Sequence, residues 1–178
     1  MKAATVGMLA LFFTGSVWAD RPQDFRDSDH HGAQSAINVV VGGLNCSTTL
    51  GAGTFAARNW SWGAANSSTA IGGGSGIGKT TVSALQVKKD FDACSPALFG
   101  AASTARHFAT LNLTQQDANG NTVVTVRMTD VLVTSWTVGG EAHDASPDEV
   151  VQIAFRKVCL SGGGTGSFCF DVATQQST

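Results

Sequence analysis

A glycine-rich stretch at residues 73–80 reads Gly-Gly-Ser-Gly-Ile-Gly-Lys-Thr and matches the phosphate-binding pattern G-x-x-x-x-G-K-T. In nucleotide-binding proteins this loop joins a buried strand to a helix, whose N-terminus and backbone amides hold the phosphates. Here the preceding residues 64–70 read Ala-Ala-Asn-Ser-Ser-Thr-Ala, and the residues after Thr80 alternate as a strand does. The context of a nucleotide site is therefore missing, and we expect a glycine loop without a cofactor.

The histidines do not stand in a pattern that supports catalysis or metal binding. His107, His143 and Asp144 could join a serine in a hydrolytic triad, but no G-x-S-x-G nucleophile elbow lies between a strand and a helix. His30 and His31 lie in a polar stretch near the terminus, where histidines are usually solvated. We therefore predict no catalytic residue, no bound metal and no enzyme activity.

The cysteines are the reactive groups with the clearest pattern. All four lie after residue 19, and an even number in an exported chain favours disulfides, with three pairings open. Cys159 and Cys169 flank Leu-Ser-Gly-Gly-Gly-Thr-Gly-Ser-Phe, a turn-forming segment, which predicts a bridge across a hairpin. The two cysteines that remain, Cys46 and Cys94, would then form the second bridge. A zinc site is the alternative, and the absence of any C-x-x-C spacing argues against it.

The first nineteen residues have the order of a secretory signal. Lys2 is followed by an apolar run at residues 3–13, and Val17-Trp18-Ala19 ends in a small residue suited to a signal peptidase. The run is too short for a permanent membrane span. A buried N-terminal strand or helix is the alternative. We predict cleavage after Ala19, secretion of a chain that starts at Asp20, and no stable membrane insertion.

The charge of the chain argues against nucleic acid as a partner. The formal net charge is −2, only 13% of the residues are charged, and no basic patch is present. Such a weakly charged surface suits a protein that packs against copies of itself, although it is also common among secreted proteins.

Most of the chain has the alternation and the turn signals of β-strands. The longest strand-like segment, residues 122–138, changes its apolar phase at Thr129-Asp130, which predicts a bend or bulge there. Asn119-Gly120 just before it is a hairpin signal. The other strand-like segments are residues 37–41, 54–62, 80–88, 108–115, 149–160 and 168–172. Strands at this spacing are typical of a sandwich or a small barrel.

One helix start interrupts the strands. Ser95 is suited to the N-cap and Pro96 to the first helical position. Leu98, Ala102 and Ala105 then recur at helical spacing, giving a small apolar stripe. We predict one short helix packed on a mainly β body.

Six stretches form an ordered set along the chain. They are Asn59-Trp-Ser-Trp-Gly63, Gly-Gly-Gly-Ser-Gly-Ile-Gly78-Lys79, Leu85-Gln-Val-Lys-Lys-Asp90, Cys94-Ser-Pro-Ala-Leu-Phe99, Met128-Thr-Asp-Val-Leu-Val-Thr-Ser-Trp-Thr-Val138 and Glu149-Val-Val-Gln-Ile-Ala-Phe-Arg-Lys-Val158. In this order they resemble the haemolysin-coregulated protein (Hcp) family, the tube proteins of type VI secretion. Each stretch is weak alone, and the ordered set, over about residues 37–158, is fairly specific.

The resemblance implies two β-sheets closed into a small β-barrel with one flanking α-helix, over residues 37–172. A flexible segment at 20–36 would precede it and a tail at 173–178 would follow. It also implies ring hexamers that stack into a hollow tube, with the chain itself as partner, secreted effector proteins in the lumen and no catalysis. Residues 62–78 would pack one ring on the next, with the residues Trp62, Gly63, Gly73, Gly76 and Gly78.

The predicted export signal and the four cysteines depart from the family's pattern. Ordinary tube subunits of the family assemble in the cytoplasm and carry no cleavable signal, and an exported subunit could not easily load onto a cytoplasmic machine. The leading hypothesis is an exported, self-assembling Hcp-like structural protein. The alternative is a secreted monomeric binding or adhesive module on the same barrel fold, and a secreted enzyme is the third hypothesis.

Overall fold

The computed structural model of the chain describes residues 35–67 and 78–178. The predicted signal at residues 1–19 and most of the predicted flexible segment at 20–36 lie outside the described residues. The described strands are β1 (Ile37–Val41), β2 (Ser47–Thr48), β3 (Gly51–Ala52), β4 (Thr54–Ala57), β5 (Asn59–Ser61), β6 (Ala64–Asn66), β7 (Thr80–Val82), β8 (Leu85–Asp90), β9 (His107–Gln116), β10 (Thr122–Gly139), β11 (Asp148–Gly162), β12 (Thr165–Asp171) and β13 (Gln176–Ser177), and the helix is α1 (Ser95–Thr104).

A long antiparallel hairpin of β10 and β11 is the centre of the main sheet. The strands follow the order β13-β12-β11-β10-β9-β1-β4. β11 is long enough for two partners on its other side, because β8 pairs with its first half and β12 with its second half. β5 extends the sheet beyond β8, while β2–β3 and β6–β7 form two small separate sheets.

The prediction of a sheet closed into a barrel is wrong, because the main sheet is open. Closure would need a hydrogen-bonded ladder between the two ends of the sheet. The consecutive strands β4 and β5 instead pair with different ends, β4 with β1 and β5 with β8. Among the described residues no ladder joins β4 to β8, and the backbone N–H of Arg58 donates one bond to the carbonyl oxygen of Lys88. Over residues 35–67 and 78–178 the fold is mainly β with one short helix.

The predicted bend of the long strand lies where the apolar phase changes. Asp130 has a φ of +51°, and Met128 and Val131 on either side of it are both buried. The pairing with β9 and β11 continues in the same register through this point, so no extra residue is inserted. The register shift between β10 and β11 lies further along, between Val133 and Ser135. The predicted irregularity at Thr129-Asp130 is thus present as one left-handed residue without a bulge, while the irregular pairing of β10 with β11 occurs elsewhere.

Two other strand predictions need correction. The predicted strand at 54–62 is divided at Arg58, where the chain passes from one end of the sheet to the other. The predicted tail at 173–178 turns back and pairs with β12 as β13. Its turn is held by the carboxylate of Asp171, whose Oδ1 accepts the backbone N–H groups of Ala173 and Thr174.

The core is formed by alternate side chains of the central strands and by one face of α1. The helix contributes Leu98 and Ala101, whereas Ala102 is half-buried and Ala105 is exposed at the left-handed C-cap. The stripe predicted for the helix is therefore right at Leu98, but Ala101 rather than Ala102 is its next buried residue. Other fully buried apolar side chains are Val39, Phe55, Leu85, Val87, Leu111, Leu113, Val126, Met128 and Val151. In the described part of the chain, no helix is long and apolar enough to cross a membrane.

Acidification should open the turn that Asp171 holds before β13. The pKa of Asp171 is held below its ordinary value of 3.8, chiefly by the backbone N–H of Thr174. Because the folded pKa is lower than the unfolded one, this stabilisation is present above the unfolded pKa and is lost as the pH falls through the folded pKa. We expect the Thr174 amide to lose protection in that range, as measured by NMR, and Asp171→Asn to remove this pH dependence. An Asp171 carboxyl group that titrates at its ordinary pKa would contradict the prediction.

Candidate functional site

A fully buried lysine joins the start of helix α1 to the sheet. The side chains of Lys89 and Glu149 are both 0% exposed, and Lys89 Nζ lies 2.7 Å from Glu149 Oε2. The same Nζ lies 3.0 Å from Asp92 Oδ1 and 3.1 Å from Ser95 Oγ. It also donates to the carbonyl oxygen of Asp90 over 2.6 Å. A buried charge is tolerated only where it is paired and hydrogen-bonded, and these partners fix the corner between β8 and α1.

The sequence contains a signal for this ion pair that motif reasoning misses. In β8, Leu85 and Val87 are buried, and Lys89 is the next residue on the same face. In β11, Glu149 lies on the buried face with Val151 and Ile153. Opposite charges at the ends of two apolar faces indicate paired strands with a buried ion pair, and Lys89 does stand opposite Glu149 in the ladder.

The helix start differs by one residue from the capping prediction. Helix α1 begins at Ser95, and Cys94 is the N-cap residue, without a side-chain cap hydrogen bond. The Ser95 hydroxyl instead accepts the backbone N–H of Asp92 and a hydrogen bond from Lys89 Nζ. The capping prediction for Ser95 is therefore wrong, because its hydroxyl accepts a hydrogen bond from the buried Lys89. Pro96 moves to the second helical position, where its missing N–H is still without cost.

Both predicted cysteine pairs lie at disulfide distance. Cys46 and Cys94 have an S–S distance of 2.02 Å, and Cys159 and Cys169 one of 2.04 Å. Cys94 is fully buried directly before α1, so its bridge ties the chain after β1 to the helix start. Cys159 and Cys169 stand directly opposite each other in the β11–β12 ladder. One bridge therefore holds the helix corner and the other holds the hairpin.

The surface beside helix α1 is apolar, and the helix itself carries no charged residue. The Phe99 side chain is 54% exposed, and its ring centroid lies 5.2 Å from that of Trp136. Val138, also exposed, follows on the same strand. We call Phe99, Trp136 and Val138 the helix patch. An apolar cluster of this kind, with Phe99 and Val138 exposed and Trp136 half-buried, is typical of a contact surface.

A second apolar surface lies on the hairpin of β11 and β12. Leu160 and Phe168 are opposite each other in the ladder and so share one face, and Phe168 is 62% exposed. Val126 lies opposite Leu160 on the other side and is buried, so this face continues the core beyond its covered part. We call Leu160 and Phe168 the hairpin patch. The segment at residues 160–168 contains no charged residue.

The segment predicted to stack rings, residues 62–78, is anchored at its base. Trp62 is half-buried and packs edge-on against Phe155 with 6.1 Å between ring centroids. The backbone N–H of Gly63 donates to Ser83 Oγ over 2.8 Å. β6 and β7 then pair as a two-stranded arm whose first strand is fully exposed. The sequence reading of one long loop missed this hairpin.

The remaining glycines of that segment lie in or beside the P-loop look-alike. Gly73 and Gly76 lie outside the described residues, and Gly78 lies two residues before β7. A strand, β7, follows the glycines where a phosphate site would need a helix. The stacking role of these residues remains a prediction.

The histidines are not gathered into one catalytic group. His107 Nδ1 lies 3.0 Å from Asp130 Oδ1, with both side chains exposed. His143 and Asp144 lie in an exposed loop, where Asp144 accepts the backbone N–H of Glu141. Within residues 35–67 and 78–178, no three His, Cys, Asp or Glu side chains are placed to hold a metal ion.

A protein-family model and several solved structures match the chain. The family model described as "Type VI secretion system effector, Hcp" matches residues 37–161. The chain belongs to the Hcp family. The match covers the strands from β1 nearly to the end of β11, so it includes the buried ion pair and the helix patch. No curated protein sequence matches the chain.

Solved structures share the Hcp fold. A structure titled as a type six secretion system protein has a TM-score of 0.72 at 22% identity, over 82% of this chain and 100% of that chain. Hcp1 from Salmonella typhimurium has a TM-score of 0.69 at 22% identity, over 81% and 99%. A type VI secretion system effector from Yersinia pestis has a TM-score of 0.63 at 19% identity, over 76% and 99%. The open, mainly β sheet with one helix is thus the Hcp fold.

Removing Lys89 alone should strongly destabilise the fold. Lys89→Met leaves Glu149 as an unpaired buried charge, which costs about 3–5 kcal/mol of the free energy of unfolding. The double variant Lys89→Met/Glu149→Leu should lose much less, because no fully buried charge remains and Asp92 is partly exposed to solvent. Urea unfolding checks both, with Lys88→Met at an exposed neighbouring position as the matched control. A single Lys89→Met variant as stable as that control would contradict the prediction.

The two disulfides should contribute unequally to stability. The Cys46–Cys94 bridge closes a sequence separation of 48 residues and Cys159–Cys169 one of 10. The chain-entropy relation gives about 4 kcal/mol for the longer loop and about 3 kcal/mol for the shorter one. We expect Cys46→Ser/Cys94→Ser to lower Tm more than Cys159→Ser/Cys169→Ser, measured by calorimetry, with the reduced wild type below both. The reverse ranking would contradict it.

Proposed function

We propose that the chain is a non-enzymatic structural protein of the Hcp type that assembles with copies of itself into rings, hexameric as in the family. The observation that carries this proposal is the presence of two separate exposed apolar surfaces, the helix patch and the hairpin patch, on one small chain. Exposed apolar patches mark sites of protein contact, and the cores of protein interfaces are depleted in charged residues. Two different patches let each copy contact two neighbours, as ring formation requires.

The open sheet adds a second reason for assembly. β5 is paired on one side only, and its free edge offers backbone groups that a neighbouring copy can cover. The arm of β6 and β7 suits a contact along the axis of stacked rings, because its first strand is fully exposed and belongs to a separate small sheet. Stacked rings would leave a lumen for secreted effector cargo.

The cysteines support assembly outside the cytoplasm. All four are paired in disulfides, which persist in oxidising compartments. We therefore place the working protein in the periplasm or outside the cell, after cleavage of the signal at Ala19. Assembly there would differ from loading onto a cytoplasmic machine.

The second candidate is a secreted monomeric binding or adhesive module on the same fold. The specific observation in its favour is the exposed aromatic side chain of Phe168, which can contact another molecule as well as a second copy. In this candidate the apolar patches would bind a foreign surface, and the protein would remain monomeric when pure.

Light scattering and negative-stain microscopy on the purified chain from Asp20 test the proposal. We expect the oxidised protein to form rings of uniform diameter, with a ring population that grows with concentration. A matched sample with Phe168→Ser keeps the disulfides and lowers the apolar surface. A monomer at every concentration would overturn the assembly proposal and favour the binding module.

A further inference from the structure

We propose that the polar face of strands β9 to β12 binds an acidic saccharide, a sugar chain that carries a carboxylate. The side chains of this face point away from the core, and a groove of about 530 Å³ lies on it beside the turn between β11 and β12. The site does not depend on assembly, because Leu160 and Phe168 of the hairpin patch point to the other face of the same two strands.

Hydroxyl groups of four neighbouring strands stand in one row on this face. Thr125 of β10 stands opposite Thr114 of β9 and Ser161 of β11. Ser161 in turn stands opposite Ser167 of β12. Directly opposite residues lie about 5 Å apart, so the row is continuous. Its last three members also line the groove, together with Thr122 and four glycines.

The hydroxyls that line the groove are free to bind a ligand. Within residues 35–67 and 78–178, the side chains of Thr122, Thr125, Ser161 and Ser167 make no hydrogen bond to another group of the protein. A sugar hydroxyl both donates and accepts hydrogen bonds, as Ser and Thr hydroxyls do. The row can therefore exchange hydrogen bonds with several hydroxyls of one sugar chain.

Two cations on the same face have no acidic partner. Arg127 is exposed and follows Thr125 by two residues, so it lies on the same face, about 7 Å further along the strand. Lys157 lies two residues before Cys159, the residue opposite Arg127, and so shares this face as well. In the described part of the chain, neither cation forms an ion pair.

The acids nearest to these cations are already bound. Asp171 stands opposite Lys157, but its Oδ1 accepts two backbone N–H groups and its Oδ2 lies 3.5 Å from Arg156 Nε. Asp117 is held by backbone and side-chain hydrogen bonds within the turn before β10. Asp130, further along β10, pairs with a histidine of β9. The charge left unpaired on this face is therefore positive, although the formal net charge of the chain is −2.

This combination of groups favours an acidic saccharide over other anions. The guanidinium of Arg127 can bind a carboxylate through two parallel hydrogen bonds, while the hydroxyl row binds the sugar hydroxyls beside it. A single-stranded nucleic acid would need aromatic side chains for its bases, and none lines the groove. An acidic peptide would add to a strand edge or fill apolar pockets, whereas this groove lies on the face of the sheet and is lined by hydroxyls and glycines.

The bridge between Cys159 and Cys169 holds the hydroxyl row in place. The two cysteines stand opposite each other in the ladder, two residues from Ser161 and Ser167. Because the two strands are covalently joined next to the groove, their hydroxyls keep their spacing before a ligand binds. A site that is already ordered loses less conformational entropy on binding.

Isothermal titration calorimetry on the oxidised chain tests the site with three probes. They are a trimer of galacturonic acid, which carries carboxylates, the neutral trisaccharide maltotriose, and the acidic peptide triglutamate. We expect the galacturonic acid trimer to bind about tenfold more tightly than maltotriose, because it adds a charge-assisted contact with Arg127. Triglutamate should bind no better than maltotriose, because it has no hydroxyls for the row.

Substitutions on this face separate the contribution of the charge from that of the hydroxyls. Arg127→Gln should lower the affinity for the acidic trimer about tenfold and leave the affinity for maltotriose unchanged. Arg127→Lys, which keeps the charge without the planar fork, should recover part of the loss. Ser161→Ala/Ser167→Ala should weaken the binding of both saccharides. Lys88→Gln is the matched control, because it removes an exposed cation of β8, outside this face, and should change neither affinity.

Several results would overturn the site. They are the absence of binding by the acidic trimer, an equal loss of its binding in Arg127→Gln and Lys88→Gln, and equal affinities for the trimer and maltotriose. Triglutamate that binds as tightly as the trimer would assign the face to acidic polypeptides instead. Where the double serine variant changes the circular dichroism spectrum, Thr125→Val replaces it, because valine keeps the side-chain shape without the hydroxyl, and it should also weaken both saccharides. A chain that binds the trimer without forming rings would uphold the site and overturn only the proposed assembly.

Discussion

The buried ion pair of Lys89 and Glu149 is the constraint on which the arrangement of helix and sheet depends. A lysine buried from solvent needs partners at fixed positions. Here Glu149 on β11 and Ser95 at the start of α1 supply them. Glu149 Oε1 has no hydrogen-bond partner among the described residues, so the cost of burying the charges is incompletely offset. The ion pair therefore specifies geometry more than it adds stability, since it joins opposite positions of β8 and β11. Helix α1 cannot shift along the sheet without breaking the contacts of the same lysine with Ser95 and Asp92.

Local patterns in the sequence predict the strands and the helix, because each depends on neighbouring residues. The alternation from Val124 to Met128 and the phase change at Asp130 are such patterns, and the turn-forming segment between Cys159 and Cys169 is another. The open sheet could not be predicted in this way. Whether β4 and β5 pair at the same end or at different ends of the sheet depends on residues far apart in the chain. The alternation of apolar and polar residues within one strand does not determine such pairings.

The candidate site shows the same division between local and distant causes. The capping prediction for Ser95 was wrong because a residue six positions earlier, Lys89, takes its hydroxyl. The patches were not predicted either: Phe99, Trp136, Leu160 and Phe168 each read as ordinary apolar residues of a helix or strand. Exposure distinguishes them, and exposure depends on where the covered part of the core ends. A charged residue in an apolar phase and the even number of cysteines were the signals of long-range structure that the sequence did contain.

Each apolar patch is held in place by a strong constraint close to it in the chain. The hairpin patch flanks its disulfide, because Leu160 follows Cys159 and Phe168 precedes Cys169. Helix α1, which carries Phe99, is fixed at its first turn by the Cys46–Cys94 bridge and by Lys89. A surface that is already rigid loses less conformational entropy when it binds. In the proposed assembly the cysteines would act on association as well as on folding, since they hold in advance the two surfaces that copies of the chain would bring together.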